Sequence, residues 1–385
     1  MQVIVKPTDE CNGACRYCSA FTAGKQTCRM SPETIEALFR FFRRYLEETP
    51  QDTVDFTWHG GEPLLLGPEF YEMLPDLEAR VFGPLRSRVG HLIQSNLTLL
   101  DDRLAAALEK LLHGRPIGTS HDLTPGVRLL RNGESYDDRW LDGLRFVQRR
   151  KIRYGVILVL HRGHLAQAEK IYYFYRNLPD RPSIRINPLY SEGRAKEPGP
   201  LHITPEEYGR FLVELHGLTA ADGGRGQFEP LRQYVGGGGP PKSLCCDVAG
   251  RCADTHVGVA PSGEIYNCGR FTDSNAFRCG NLFSDDSAHV LASAGKQRLR
   301  QRGDYLRRHD CAECRWWDYC HGGCPNDAYL SSGDVFAKTH WCDGLRLFFE
   351  TCLDPPQSGA RGPCGSGPRG RGRRGGGRGG RDAPA

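Results

Sequence analysis

The sequence predicts an α/β chain in which a partial (β/α)6 barrel, open on one side, precedes a smaller cysteine-rich domain tied together by metal. Three observations lead there. Six short apolar or alternating runs read as strands, at residues 2–7, 53–58, 91–95, 116–120, 154–160 and 183–189, with helical periodicity in most of the stretches between them. Continuous apolar runs then thin out, and cysteines crowd between Cys245 and Cys342. Finally, 385 residues exceed the usual size of one hydrophobic core, so a large barrel or two domains are expected.

The first strand opens almost at Met1, and no signal-like or membrane-length apolar run is visible. The clearest helix covers 31–47: Ser31 caps it, Pro32 fits its first position, and Ile35, Leu38, Phe39, Phe42 and Leu46 share one stripe. Parallel strands joined by such crossovers gather chemistry at their C-terminal edge. The barrel is assigned to residues 1–200 and a helical linker, with a helix at 204–217 and a Gly-Pro break at 236–241, to 201–244. The cysteine domain follows at 245–353, and a disordered Pro, Gly and Arg tail at 354–385.

Sixteen cysteines without a secretion signal point to a reducing cytoplasm, where thiols serve as metal ligands more often than as disulfide partners. The formal charge of +5 is local: residues 361–385 carry seven Arg against one Asp, leaving the rest near −1. That body asks for neither nucleic acid nor a membrane. The Arg369–Arg374 run looks like an RNA-contacting RGG segment, but no aromatics interleave with its arginines, and it reads as a solvated extension.

Cys11, Cys15 and Cys18 follow the first strand as C-x3-C-x2-C. Three thiolates within eight residues wrap one iron–sulfur cluster and leave its fourth iron open, whereas structural zinc takes four side chains. The second strand ends in His59-Gly60-Gly61-Glu62-Pro63, whose glycines let backbone approach a ligand closely. Asn96 ends the third strand, and Ser120-His121-Asp122 the fourth, with Arg131 just beyond. Polar groups there suit a ligand's hydroxyls and carboxylate, and equally suit loop capping. In the second half Cys252, Gly263 and Cys268 precede Cys311-x2-Cys314-x5-Cys320-x3-Cys324 and then Cys342. A pair of zinc ribbons is the other reading of such spacing.

With Tyr17 directly before its last cysteine, the first loop resembles the signature of the radical SAM superfamily, and Gly60-Gly61-Glu62-Pro63 resembles that family's GGEP element. Ser120-x-Asp122 and Arg131–Asp137 are similar to elements of its peptide- and sulfatase-modifying branch, and the series from Cys252 to Cys342 resembles the seven-cysteine SPASM extension. The resemblance implies a TIM-type partial barrel followed by a SPASM domain, with three four-iron four-sulfur clusters and S-adenosylmethionine (SAM) as cofactors. Cys11, Cys15 and Cys18 would hold the SAM-binding cluster, and Gly60, Gly61, Glu62, Pro63, Asn96, Ser120, Asp122 and Arg131 would bind the nucleotide. Cys246, Cys252, Cys268 and Cys324 would hold one auxiliary cluster, with Cys245 the fallback for Cys246, and Cys311, Cys314, Cys320 and Cys342 the other. An external low-potential donor such as flavodoxin or ferredoxin would drive cleavage of SAM to a 5′-deoxyadenosyl radical, and the auxiliary clusters suit net oxidation of a substrate.

Enzymes of this kind act mostly on peptides or proteins made by the ribosome. Sulfatase maturases among them carry an Asp immediately after the cysteine that corresponds to Cys268, where this chain has Gly269 and then Arg270. The expectation is therefore a maturase that installs a cross-link or related oxidation in a peptide. Formylglycine formation on a sulfatase is the alternative. A non-catalytic iron–sulfur electron carrier is the reading from another class, and the GGEP turn speaks against it. No catalytic residue is assigned, and no separate leader-gripping domain is visible ahead of the first strand. Cys28, Cys245, Cys279, Cys352 and Cys364 read as apolar filler or tail thiols.

Overall fold

Six parallel strands occupy the predicted runs: β1 (Gln2–Val5), β2 (Val54–Trp58), β3 (Val89–Gln94), β4 (Ile117–Ser120), β5 (Tyr154–Leu160) and β6 (Ser183–Pro188). This computed structural model describes residues 1–21, 27–223, 227–234 and 239–353. The tail expected at 354–385 and Gly236–Gly238 of the break lie outside the described residues. Along β5 the alternation Tyr154, Val156, Leu158, Leu160 is buried while the residues between are half-buried, as a strand packed against helices on one side demands.

Helices α1 (Pro32–Glu48), α2 (Pro68–Phe82), α3 (Asp102–Leu112), α4 (Tyr136–Arg149), α5 (Ala168–Arg176) and α6 (Pro205–Ala221) supply that cover. The Ser31 hydroxyl accepts from the Thr34 N–H at 3.2 Å and Pro32 opens α1, as the sequence predicts. Thr204 and Glu207 form a reciprocal capping box at the start of α6.

The sheet does not stop at six strands. At one edge β7 (Phe228–Glu229) pairs in parallel with β6, and at the other β8 (His256–Val259) pairs in parallel with β1, from Gln2–His256 to Val5–Val259. Antiparallel β9 (Glu264–Tyr266) and β10 (Arg278–Asn281) follow, giving ten strands in the order β10-β9-β8-β1-β2-β3-β4-β5-β6-β7. These four were not expected: β7 and β9 have only two and three residues, and His256-Val257-Gly258-Val259 in β8 and Arg278-Cys279-Gly280-Asn281 in β10 give no run of apolar or alternating residues. The sheet therefore runs across the boundaries expected near residues 200 and 245, and Met1–Asp354 form one compact unit.

The cysteine-bearing region is built on short helices: α7 (Cys252–Thr255), α8 (Gly269–Ser274), α9 (Ser287–Ala292), α10 (Ala294–Arg308), α11 (Trp317–Cys320), α12 (Pro325–Ser332) and α13 (Cys342–Cys352). Helix α13 lies against α6 through glycine on glycine: a Cβ on Gly209 would strike the Gly344 backbone, and one on Gly344 would strike the Pro205 carbonyl. Among the described residues no helix is long and apolar enough to cross a membrane.

The Gly209–Gly344 contact yields a test. Gly344→Ala has no room for its methyl group and should force α13 outward, costing about 1–3 kcal/mol as overpacking does, read as a lowered denaturation midpoint under anaerobic conditions. An unchanged midpoint would mean that the helices part freely.

Candidate functional site

Every loop that leaves the C-terminal end of a barrel strand meets the loop carrying Cys11, Cys15 and Cys18. The Gly60–Glu62 turn presses on it from one side: a Cβ on Gly60 (φ 102°) would strike the Thr8 carbonyl, and one on Gly61 the Glu10 carbonyl. The Gly61 N–H donates to the Thr8 carbonyl at 3.0 Å and the Glu62 N–H to that of Glu10 at 2.7 Å. The close approach expected of these glycines is thus made, first of all, to the chain's own cluster loop. From a second side, Ala14 and Arg16 N–H groups donate to Leu129 and Val127 carbonyls at 2.7 and 2.9 Å. From a third, the Arg194 N–H reaches the Cys18 carbonyl at 3.0 Å and its guanidinium the Cys15 carbonyl at 2.9 Å.

The expected nucleotide-binding residues brace this loop. The buried Glu62 carboxylate accepts from Leu64 N–H at 3.0 Å, Ser95 Oγ at 2.7 Å and Asn96 N–H at 2.7 Å, while burial pushes its pKa up to about 7. The following Pro63 is buried, and its carbonyl accepts from the Tyr71 hydroxyl at 2.7 Å. Asn96 Nδ2 donates to Asn12 Oδ1 at 2.7 Å, and Arg131 Nε to the Gly13 carbonyl at 3.3 Å. Ser120 Oγ accepts from Gln94 Nε2 at 3.0 Å across the half-buried face of the sheet.

Asp122 is committed to the protein. It pairs with Arg128 at 2.8 Å, accepts from Val159 N–H at 3.0 Å and receives the Tyr17 hydroxyl. Burial works against its charge, but Arg128 and Tyr17 outweigh that and hold its pKa below the ordinary carboxylate value. Arg128, which no sequence signal singled out, also lies over the Tyr17 and Tyr136 rings at 5.3 and 5.6 Å.

The remaining thiols fall into two neighbourhoods. Cys252 is raised to about 12 by burial and by the charge of Cys268 and Cys246, and Cys324 is raised by burial and by Asp327, with Cys268 and Cys252 adding to it. Cys311 and Cys320 are raised to about 11 and about 12 by burial, with Cys342 and Cys314 next to both. Cys245 turns away from the first group, and its Sγ donates to Glu229 Oε2 at 3.6 Å. Buried thiols that resist ionisation need a metal cation beside them to persist as thiolates. Among the described residues no three His, Cys, Asp or Glu side chains are gathered as a single metal ion requires. Two buried cations accompany these thiols, both on α10 and both missed by sequence reasoning. Lys296 Nζ donates to the Ala253 and His256 carbonyls at 2.8 Å each, and Arg302 to five carbonyls between residues 321 and 337.

Between the first loop and the Cys268–Cys324 pair stands a knot of charge. Lys6, at the end of β1, forms an ion pair with Asp273 of α8, and Arg270 pairs with Asp327 at 3.2 Å while covering the Tyr190 ring at 3.9 Å. Glu192, on the loop after β6, faces the same group, and burial together with Asp273 raises its pKa to about 8. Sequence spacing does not connect Lys6, Glu192 and Asp327 with the α8 residues Arg270 and Asp273; the β1–β8 pairing brings α8 to the end of β1.

Residues 5–172 match the Radical SAM superfamily model. Over 92% of its length the chain is 28% identical to the serine-type anaerobic sulfatase-maturating enzyme of Klebsiella aerogenes, covering 85% of that protein. It is 26% identical to the cysteine-type anaerobic sulfatase-maturating enzyme of Clostridium perfringens (strain 13 / Type A), covering 91% of this chain and 95% of that one. Its fold superposes on native anSMEcpe with bound AdoMet at a TM-score of 0.77, with 19% identity over 91% of this chain and 97% of the other. Streptococcus suis SuiB bound to precursor peptide SuiA superposes at 0.60, with 13% identity over 89% and 75%. The expectation of a cross-linking peptide maturase is corrected by these similarities. It rested on the missing carboxylate at Gly269, whereas the resemblance to sulfatase-maturating enzymes extends along nearly the whole folded chain. A carboxylate absent from one position can be supplied by another loop at the same strand ends.

Arg128→Ala should be among the most damaging single changes away from the thiols. It leaves Asp122 buried without its cation, a loss of about 3–5 kcal/mol for a broken buried pair. The thermal midpoint should fall steeply, and Asp122→Asn added to Arg128→Ala should recover part of it.

Proposed function

The chain carries a radical SAM domain, and on that premise we propose that it is an anaerobic sulfatase-maturating enzyme, oxidising a Cys or Ser side chain of a sulfatase peptide to formylglycine. The single observation that carries this reading is the similarity to enzymes of that description over more than nine-tenths of the chain, cysteine region included. When bound, the four-iron cluster and SAM supply a 5′-deoxyadenosyl radical able to take hydrogen from an unactivated carbon.

The residues around that cofactor have definable tasks. Cys11, Cys15 and Cys18 would hold the cluster, and the turns at Gly60–Glu62, Val127–Arg131 and Gly193–Arg194 fix their loop at the strand ends. Pro63, Asn96, Ser120, Asp122 and Arg131 shape the wall against which the nucleotide lies. The buried Tyr17–Asp122–Arg128 group stiffens that wall, and a pre-shaped site is what a reactive radical requires.

In the same reading Cys246, Cys252, Cys268 and Cys324 hold one auxiliary four-iron cluster, and Cys311, Cys314, Cys320 and Cys342 the second. The two thiol neighbourhoods support this division, and the turn of Cys245 toward Glu229 supports Cys246 as the upstream ligand. An external low-potential donor such as flavodoxin or ferredoxin supplies the electron, and the cytoplasm, where thiols stay reduced, is the compartment.

Two measurements test the proposal. Anaerobic reconstitution should load about twelve irons; Cys246→Ala should lose about a third of them and Cys245→Ala none, and the reverse result would exchange the two assignments. With SAM, a reductant and a sulfatase-derived peptide, the enzyme should convert the target Cys or Ser to an aldehyde that a hydrazide captures. Deoxyadenosine release with no aldehyde in either peptide would end this reading.

A further inference from the structure

Oxidising a serine or cysteine side chain requires more than hydrogen abstraction. The Cβ–H hydrogen leaves as an atom to the deoxyadenosyl radical, the hydroxyl or thiol proton must go to a base, and the remaining electron must go to an oxidised iron–sulfur cluster as the C=O or C=S bond forms; a C=S product is then hydrolysed by water to the aldehyde with release of hydrogen sulfide. The base does not come from position 269. Gly269 lies against β1, and a Cβ there would stand 2.6 Å from Ile4 Cγ2.

We propose that Glu192 is the catalytic residue that takes this proton, an assignment that rests on the sulfatase-maturase reading above. Its side chain is 6% exposed, and Oε1 has no hydrogen-bond partner among the described residues. An unpartnered buried oxygen of this kind is destabilising, and a bound substrate's O–H or S–H would satisfy it. Its position suits the task. The next two residues are strapped to the cluster loop: Gly193 (φ 60°) has no space for a Cβ against the Cys18 and Ser19 carbonyls, and Arg194 is bonded to Cys18 and Cys15.

On the other side Glu192 faces Asp273, Lys6, Arg270 and Asp327, the group that reaches to Cys268 and Cys324. It therefore stands between the site of hydrogen abstraction and the cluster that would receive the electron. A raised affinity for protons, from burial and from Asp273, fits a group that must accept one near neutral pH. The rival is Asp273, one helical turn after Gly269 on α8, but its carboxylate is held by the Lys6 ammonium.

The test compares Glu192→Gln, Glu192→Ala and Asp273→Asn with the wild type, using a sulfatase peptide deuterated at the Cβ of its target Ser. Glu192→Gln should keep the full iron content, the same peptide affinity by fluorescence anisotropy, and transfer of deuterium into deoxyadenosine. Aldehyde formed per deoxyadenosine should fall by about 10²–10³-fold, the usual contribution of a positioned base, and formate should restore part of it in Glu192→Ala. A wild-type aldehyde ratio in Glu192→Gln with iron intact overturns the assignment, as does uncoupling confined to Asp273→Asn. If the wild type forms no aldehyde, the maturase reading falls and this assignment with it. Should Glu192→Gln fail to hold iron, the formate response of Glu192→Ala decides.

Discussion

Strand β1 is hydrogen-bonded along both edges, to β2 on one side and to β8 on the other, each pairing running from Gln2 to Val5. That double pairing is the constraint on which the site depends. It carries the segment around Cys268, far along the chain, to the same strand end from which the Cys11–Cys18 loop departs. Lys6 continues the ladder by donating to the Val259 carbonyl at 2.9 Å, and its side chain then ties down Asp273. Without β8 in place, Arg270, Asp273 and the Cys268 thiol would have no fixed relation to the barrel mouth.

The six barrel strands and α1 were legible because their signals are local: alternating burial, a serine cap, a proline at the first helical position. The gathering of Cys11, Cys15 and Cys18 on one loop was legible for the same reason, since their spacing alone places them together. Strands β7 to β10 were not: β7 and β9 have two and three residues, β8 is interrupted by Gly258, β10 alternates no apolar residues, and their pairing is decided by distant partners. Gly60 and Gly61 were read as making room for a ligand, and the room they make is filled by Thr8 and Glu10. The cross-linking expectation failed because it weighed a single side chain, at Gly269, without knowing that Ile4 fills the space beside it or that Glu192 and Asp273 come to the same edge. Only tertiary structure places a carboxylate from β6's loop beside one from α8.

Charge is arranged with the same economy. A four-iron cluster with four thiolates is anionic, and the chain sets buried cations beside each thiol neighbourhood. Arg302 donates to the Val335, His321, Gly323, Gly322 and Ala337 carbonyls, so its guanidinium is solvated by backbone while its charge faces Cys324, Cys252, Cys311 and Cys320. Lys296 does likewise near Cys252 and Cys268, and also donates to Asn267 Oδ1 at 3.1 Å, whose amide group reaches Cys252 Sγ at 3.7 Å. Fixed dipoles and cations of this kind tune the ease with which a cluster takes up an electron.

The thiol neighbourhoods cross in sequence, because Cys324 groups with Cys252 and Cys268 although Cys311, Cys314 and Cys320 precede it. A polypeptide emerging from the ribosome thus presents an incomplete set at every stage until its last helix is out. The earliest cysteines are translated within the first twenty residues, yet the segments that fence them arrive only with Val127 and Arg194. On the proposed ligand division, iron offered before Cys324 and Cys342 have been made would meet incomplete sets, so that division favours loading after the chain is finished and threaded.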